Sequence, residues 1–259
     1  MSNCIEVTDK AIENIKGIHT LDISDCYKIT SKAFDNLKGI RKLKMMNIDL
    51  TNTEFENFRG IHTLDITGCF RTIITDDAFE NLKGIHALSI SQISGLKITD
   101  RAFENLKGIH TLNISLCEDL NITDKAFENL NGIHTLNISS CYQLTDKFFE
   151  NLKGIHTLEM SYCYQDTITD KAFENLNGIH TLNMFDCHQQ TITDKAFENL
   201  KGIHTLNMSC CDQTTITNKV FENLKQIHTL NILYCDQLII TNESIENLKA
   251  IHNIHNIHY

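Results

Sequence analysis

Residues 98–117 read ITDRAFENLKGIHTLNISLC, and two hydrophobic periods lie side by side in that stretch. Over residues 99–108, Ala102, Phe103 and Leu106 fall on one face of a helix. Thr99 or Asp100 is placed to cap its start and Gly108 to end it. Over Leu112, Asn113 and Ile114 the period switches to two, the mark of a short strand with one buried face, entered from Ile109. Neither piece is long enough to hold itself together in water. The stretch predicts a unit that is stable only when stacked on others like it.

The rest of the chain supplies those others. The slot of His110 is filled at 19, 62, 86, 110, 134, 156, 180, 204, 228 and 252, with Arg41 as the missing copy, and the steps are 21, 22 or 24 residues. Eleven copies follow without a linker or a change of composition, so one repeat domain over 1–259 is predicted, the last copy incomplete. In that copy Asn256 falls where Ile or Met stands elsewhere, and residues 255–259 read as a frayed end. The composition agrees with a foldable repeat: 259 residues, 41% apolar and 22% charged. The absence of Pro, where a chain of this length carries on the order of 13, excludes collagen-like and Pro-rich classes.

The segment I-H-T-L-N-I-S-x-C resembles the leucine-rich repeat consensus L-x-x-L-x-L-x-x-N/C, over residues 5 to 254. The helical part, I-x-x-x-A-F-x-x-L, resembles the BspA-like class, and Cys followed by I-T-D resembles the cysteine-containing class found in F-box adaptors. The resemblance implies an α/β fold: a right-handed, curved solenoid with a parallel sheet on its concave face and short helices on its convex face.

Several slots form ladders that invite a chemical reading. Eight of the ten Cys (Cys26, Cys69, Cys117, Cys141, Cys163, Cys187, Cys211, Cys235) stand seven residues after the His slot. Ile48 and Ile93 fill the same slot, and isoleucine can replace a buried thiol but not a metal ligand. No metal site is predicted. Arg41 likewise replaces the His once without disturbing the phasing, so the His ladder reads as a structural hydrogen-bond ladder at the strand entrance. Asn recurs from Asn14 to Asn247 at the edge of the helical face, where its amide is placed to bridge backbone groups of adjoining copies. The acidic slot beside it, with Lys three residues on (Glu80 and Lys83), reads as a solvated face. The five N-x-[ST] matches, at Asn113, Asn121, Asn137, Asn207 and Asn242, read as by-products of the repeat.

Differences between copies carry the functional information. The concave slots are a neutral floor of Thr, Asn and Ser, as in Thr111, Asn113 and Ser115 or Thr135, Asn137 and Ser139. Copy 2 departs with Arg41, Lys42, Lys44 and Met46, too small a basic cluster for a nucleic-acid track in a chain of formal net charge −10. The strand ends of copies 6 to 10 depart with Tyr142, Tyr162, Tyr164, Phe185, His188, Leu233 and Tyr234. Aromatic side chains there read either as an interaction hot spot or as covers over their own loops. Tyr27 and Phe70 occupy comparable slots nearer the start.

No nucleophile–base pair, Gly-rich phosphate loop or metal spacing occurs, so no catalytic residue, cofactor or enzyme activity is expected. The reading is a protein–protein interaction scaffold that uses its concave face and strand-end loops, with end-to-end self-association as a further possibility. The alternative is the substrate-recognition subunit of a ubiquitin ligase; the first copy begins within ten residues of Met1, which leaves no room for an F-box of its own. Reduced Cys, no apolar leader in MSNCIEVTDKAIENIKG and no membrane-length apolar run predict an intracellular, reducing compartment, the cytoplasm, and no membrane partner.

Overall fold

The structure is a computed structural model, and it describes residues 6–15, 17–69, 73–117, 120–235, 240–241, 243–246 and the backbone of 256–258. Phe70, Asn242, Asn247, His252 and tail residues 255 and 259 lie outside that set. The chain forms two compact units, residues 1–131 and 132–259.

In the first unit five three-residue strands follow one another: β1 (Thr20–Asp22), β2 (Lys42–Lys44), β3 (Thr63–Asp65), β4 (Ala87–Ser89) and β5 (Thr111–Asn113). Each pairs in parallel with the next, Leu21 opposite Leu43, Leu43 opposite Leu64, Leu64 opposite Leu88, and Leu88 opposite Leu112. The second unit continues the pattern with β6 (Thr135–Asn137), β7 (Thr157–Glu159), β8 (Thr181–Asn183), β9 (Thr205–Asn207), β10 (Thr229–Asn231) and β11 (Asn256–His258). Its strands pair in parallel in the same order.

Every strand is preceded by a helical turn, α-helical at the start and 3-10 at the end in copy 5 (Asp100–Phe103, then Glu104–Leu106), 3-10 throughout as in Asp124–Leu130, and α-helical over residues 243–246 ahead of β11. The expected apolar face is real: Ala102, Phe103, Leu106, Ile109, Leu112, Ile114 and Cys117 are all buried. Each Leu, Ile or Phe so buried is worth about 1.5–3 kcal/mol, an upper figure because the unfolded chain already hides part of that surface. Thr99 caps the turn, its Oγ1 accepting from the Arg101 N–H. Gly108 does not cap a helix. Lys107 (φ −55°, ψ 124°) and Gly108 (φ +82°) form a type II turn closed by the Ile109 N–H on the Leu106 carbonyl, which needs glycine at its third position.

Copies are joined by a clasp that the sequence reading missed. The Asp after the capping Thr reaches forward to the next copy: Asp76 accepts the Thr99 N–H at 2.7 Å and the Thr99 hydroxyl at 2.8 Å, and Asp100 does the same for Thr123 at 2.7 Å each. Asp9, Asp146, Asp170 and Asp194 repeat it on Thr30, Thr169, Thr193 and Thr217. Copy 2 carries Ser31 in the Asp slot, opposite Thr51 of copy 3. There Glu54, buried in a slot that holds Ala in most copies, bonds back to the Thr51 N–H and hydroxyl at 2.6 and 2.8 Å.

Four expectations are corrected. The Asn amides do not bridge neighbouring backbones: Asn14 and Asn151 donate to Lys10 and Phe148 of their own turns, and Asn57 to the Asp35 carboxylate. Glu80 pairs with Arg101 of the next copy at 3.2 Å rather than with Lys83, because the helix ends at Leu82 and Lys83 lies in the turn. The His side chains do not hydrogen-bond along their ladder; the backbone does, the His156 carbonyl accepting from both His180 and Thr181. The tail is not frayed over 256–258, since β11 pairs with β10, Asn256 opposite Thr229 and Ile257 opposite Leu230. The I-H-N triplet of the tail offers a register three residues later than the repeat spacing, and that register lifts Asn256 out of the apolar slot.

Candidate functional site

After each strand the chain makes a second tight turn, closed in copy 6 by the Cys141 N–H on the Ile138 carbonyl. Its third residue has a positive φ in every copy from 1 to 10: Asp25, Asn47, Gly68, Gln92, Leu116, Ser140, Tyr162, Asp186, Cys210 and Tyr234. The stack imposes this, because that residue's N–H is turned onto the next copy, Tyr162 onto the Phe185 carbonyl at 2.9 Å and Asp186 onto the Ser209 carbonyl at 2.9 Å. Gly68 is free of the steric cost, which is roughly 1–2 kcal/mol for an L-residue and least for Asn and Asp, as at Asp25, Asn47 and Asp186. Tyr162 (φ 59°) and Tyr234 (φ 57°) bear it while their rings stay 39% and 76% exposed. Neither core packing nor backbone preference favours a tyrosine there.

Around Tyr162 the second unit assembles a cluster. Tyr142, Tyr164 and His188 occupy the slot after the Cys in copies 6, 7 and 8, and their rings stack at 6.0 Å and 5.6 Å with interplanar angles of 14° and 7°. Tyr162 stands edge-on to Tyr164 at 6.4 Å and to Phe185 at 5.2 Å. The Tyr164 hydroxyl donates to Asp186 at 2.8 Å, and His188 Nε2 lies 3.1 Å from the other Asp186 oxygen. Burial pushes the Tyr164 hydroxyl well above the ordinary tyrosine range, and the bond to Asp186 adds to it. Asp212 fills the slot in copy 9, its carboxylate 4.0 Å from His188 Nδ1.

The structure thus brings five of the seven expected residues together: Tyr142, Tyr162, Tyr164, Phe185 and His188. Leu233, half-buried, and Tyr234 stand two copies further on, where the Leu233 carbonyl accepts the Cys210 N–H. Asp186 and Asp212 were missed. The signal was in the composition of the strand exits, where residues 138–145, 160–169, 184–193, 208–217 and 232–241 contain no Lys or Arg but hold Asp166, Asp186, Asp212 and Asp236. The exits of copies 1, 3 and 4 instead contain Lys28, Arg71 and Lys97.

The other ladders have structural work. Cys187 and Cys211 thiols donate to the Met160 and Met184 carbonyls of the preceding copy at 3.2 and 3.0 Å, and burial pushes Cys163 up to about 11. The His rings stack at 4.5–4.6 Å, and Nδ1 of His62, His110, His134, His156, His180, His204 and His228 shares a hydrogen with the Thr that follows it, His180 with Thr181 at 3.1 Å, whereas His86 is followed by Ala87. Asn113, Asn207 and Asn231 on the strand floor accept the N–H two residues on, which steers the chain into the exit turn. Glu159 replaces this Asn in β7, and burial pushes its carboxyl up. Lys44 of copy 2 sits opposite Asp22 and Asp65 and pairs with Asp65 at 3.5 Å, so the basic cluster is hemmed by carboxylates. Among the described residues no three His, Cys, Asp or Glu side chains converge as a metal site, and no helix is long and apolar enough to cross a membrane.

Short parallel strands with one helical turn per copy, leucines in register and a Cys or Ile at each exit define a leucine-rich repeat solenoid. The chain belongs to the BspA type leucine rich repeat region family, whose six-copy model matches residues 1–86, 51–179 and 146–259. Solved structures of similar fold include TLR13 in its complex with ssRNA13 (17% identity, TM-score 0.64, 88% of this chain and 34% of that one). Mouse RP105 in complex with MD-1 is similar at 18% identity and TM-score 0.63, over 95% of this chain and 51% of that one. A Leptospira interrogans LRR protein is similar at 14% identity and TM-score 0.61, over 96% and 68%. This chain spans about a third of the TLR13 chain and half of the RP105 chain. Comparison with curated proteins gives no match.

Proposed function

We propose that the chain is a non-enzymatic scaffold that binds a protein partner through the solvent side of its strands and, above all, the strand-exit edge of copies 6 to 10. Tyr142, Tyr162, Tyr164, Phe185, His188, Leu233 and Tyr234 are its contact residues. One observation carries the reading: Tyr162 and Tyr234 are aromatic residues that remain 39% and 76% exposed while held at a positive φ, a backbone placement that costs stability. Rings fixed by neighbouring rings at a rigid sheet edge lose little entropy on binding, which is what a hot spot requires.

The test is quantitative capture from the native host with the full chain as bait, compared with the Tyr162→Gly and Tyr164→Ala variants. Each should weaken the captured partner by roughly 1–3 kcal/mol, and Tyr162→Gly should leave the melting temperature level or higher because glycine relieves the backbone. Unchanged capture together with a lowered melting temperature would make the rings loop covers. The ubiquitin-ligase alternative draws no support from any residue of the edge; recovery of ligase core subunits in the same capture would favour it.

A further inference from the structure

We infer that the strand-exit edge of copies 7 to 9 takes an arginine-bearing, basic segment of a protein partner; this rests on the reading of that edge as the contact surface. Two independent features point to a cation. The first is charge segregation. All eight Lys of the second unit lie outside the five exits, while four Asp lie within them. Among the described residues the Asp212 carboxylate, 38% exposed, accepts no hydrogen bond; His188 Nδ1 lies 4.0 Å from it, and its other near titratable neighbours are the uncharged Cys210 and Cys235 thiols.

The second is the stack. Tyr142, Tyr164 and His188 continue one another copy by copy, and the row of rings stops at copy 9, where the slot holds Asp212. A planar cation arriving beside His188 meets an aromatic neighbour and a carboxylate at once. Guanidinium suits this better than ammonium, because it stacks on ring faces and donates to a carboxylate through two parallel N–H groups. Asp186 adds negative charge from behind, although its two oxygens are already engaged by Tyr164 and His188. A compact ammonium would gain the charge attraction without the stacking.

The probe is a set of three fluorescein-labelled nonapeptides, identical except that alternate positions carry Arg, Gln or Glu, read by anisotropy against the full chain. The Arg peptide should bind, and its affinity should fall at least about tenfold between roughly 0.05 and 0.5 M salt. It should fall about tenfold or more in the Asp186→Asn/Asp212→Asn variant; asparagine tolerates the positive φ of position 186, so folding is preserved. Glu174→Gln/Glu198→Gln, which removes two exposed charges from the helical side, should leave binding unchanged. Absence of binding by the Arg peptide, or equal binding by the Asn variant, overturns the inference. A Gln peptide that binds as tightly and is lost with Tyr162→Gly overturns the cation and keeps the edge. An Arg peptide insensitive to both the Asn pair and Tyr162→Gly overturns both.

Discussion

The carboxylate of Asp170 holds Thr193, 23 residues further on, by its N–H at 2.7 Å and by its hydroxyl at 2.8 Å. That pair fastens one copy to the next on the helical side, as the strand ladder does on the other. Asn52 and Asn218 stand in the same slot and join the same atoms with an uncharged amide, Asn52 Oδ1 accepting the Thr75 N–H at 3.0 Å while its Nδ2 donates to the Thr75 hydroxyl at 2.7 Å. Asp170→Asn should therefore cost little, and Asp170→Ala about 1.5–3 kcal/mol, the worth of hydrogen bonds to a charged group. Urea midpoints at constant m-value check it; an Ala variant no weaker than Asn would remove the clasp from the account.

Glu54 stands in for the missing acid at Ser31. Glu54→Ala should destabilise by about 1–3 kcal/mol because the part-buried Thr51 N–H loses its acceptor. Ser31→Asp in the same chain should restore most of the loss, while Ser31→Asp alone should gain little. A double variant as weak as Glu54→Ala would show that the two acids are not interchangeable.

His180 stacks between His156 and His204 at 4.5 Å on both sides. Partial desolvation and its two neighbours hold its pKa below the usual histidine value, as they do for His86. The unfolded chain then binds more protons, so stability is fully present above about 6.5 and is lost as pH falls from there through the lower folded pKa. His180→Gln should flatten the dependence of the urea midpoint between about pH 7.5 and 5.5. A slope identical to wild type would assign the pH dependence to carboxylates.

Cys163 and Cys187 are fully buried with raised pKa values, whereas Cys210, half-buried beside Asp186, lies outside the ladder. Native alkylation at about pH 7.5 should modify Cys210 before any ladder thiol, read by peptide mass spectrometry. Cys163→Ala should cost about 1–2 kcal/mol through lost packing. Rapid labelling of Cys163 in the folded chain would mean that the stack opens locally.

The unit, its strand and its core were readable because period and spacing are local: Ala102, Phe103, Leu106, Leu112 and Ile114 declare their faces within a span of 13 residues. What the residues do to the next copy was less readable. Thr99 and Asp100 look like a cap from within one copy, and only the stack shows the Asp100 carboxylate on Thr123. The positive φ at Tyr162 had one hint in the sequence, Gly68 in the equivalent slot, obscured by the variety elsewhere. Tyr164 and His188 were visible as aromatic departures, but their partner Asp186 belongs to a slot whose geometry no single copy reveals.

That slot has an evolutionary consequence. Ten copies place eight residue types at it, while the Leu of the strand and the Thr of the next clasp barely change. The fold has separated what it shows from what holds it up. Gain or loss of a whole copy would re-form the same Asp–Thr junction and slide the row of displayed side chains by one position, so that a lineage can rewrite its recognition pattern by recombination without designing a new interface between neighbours.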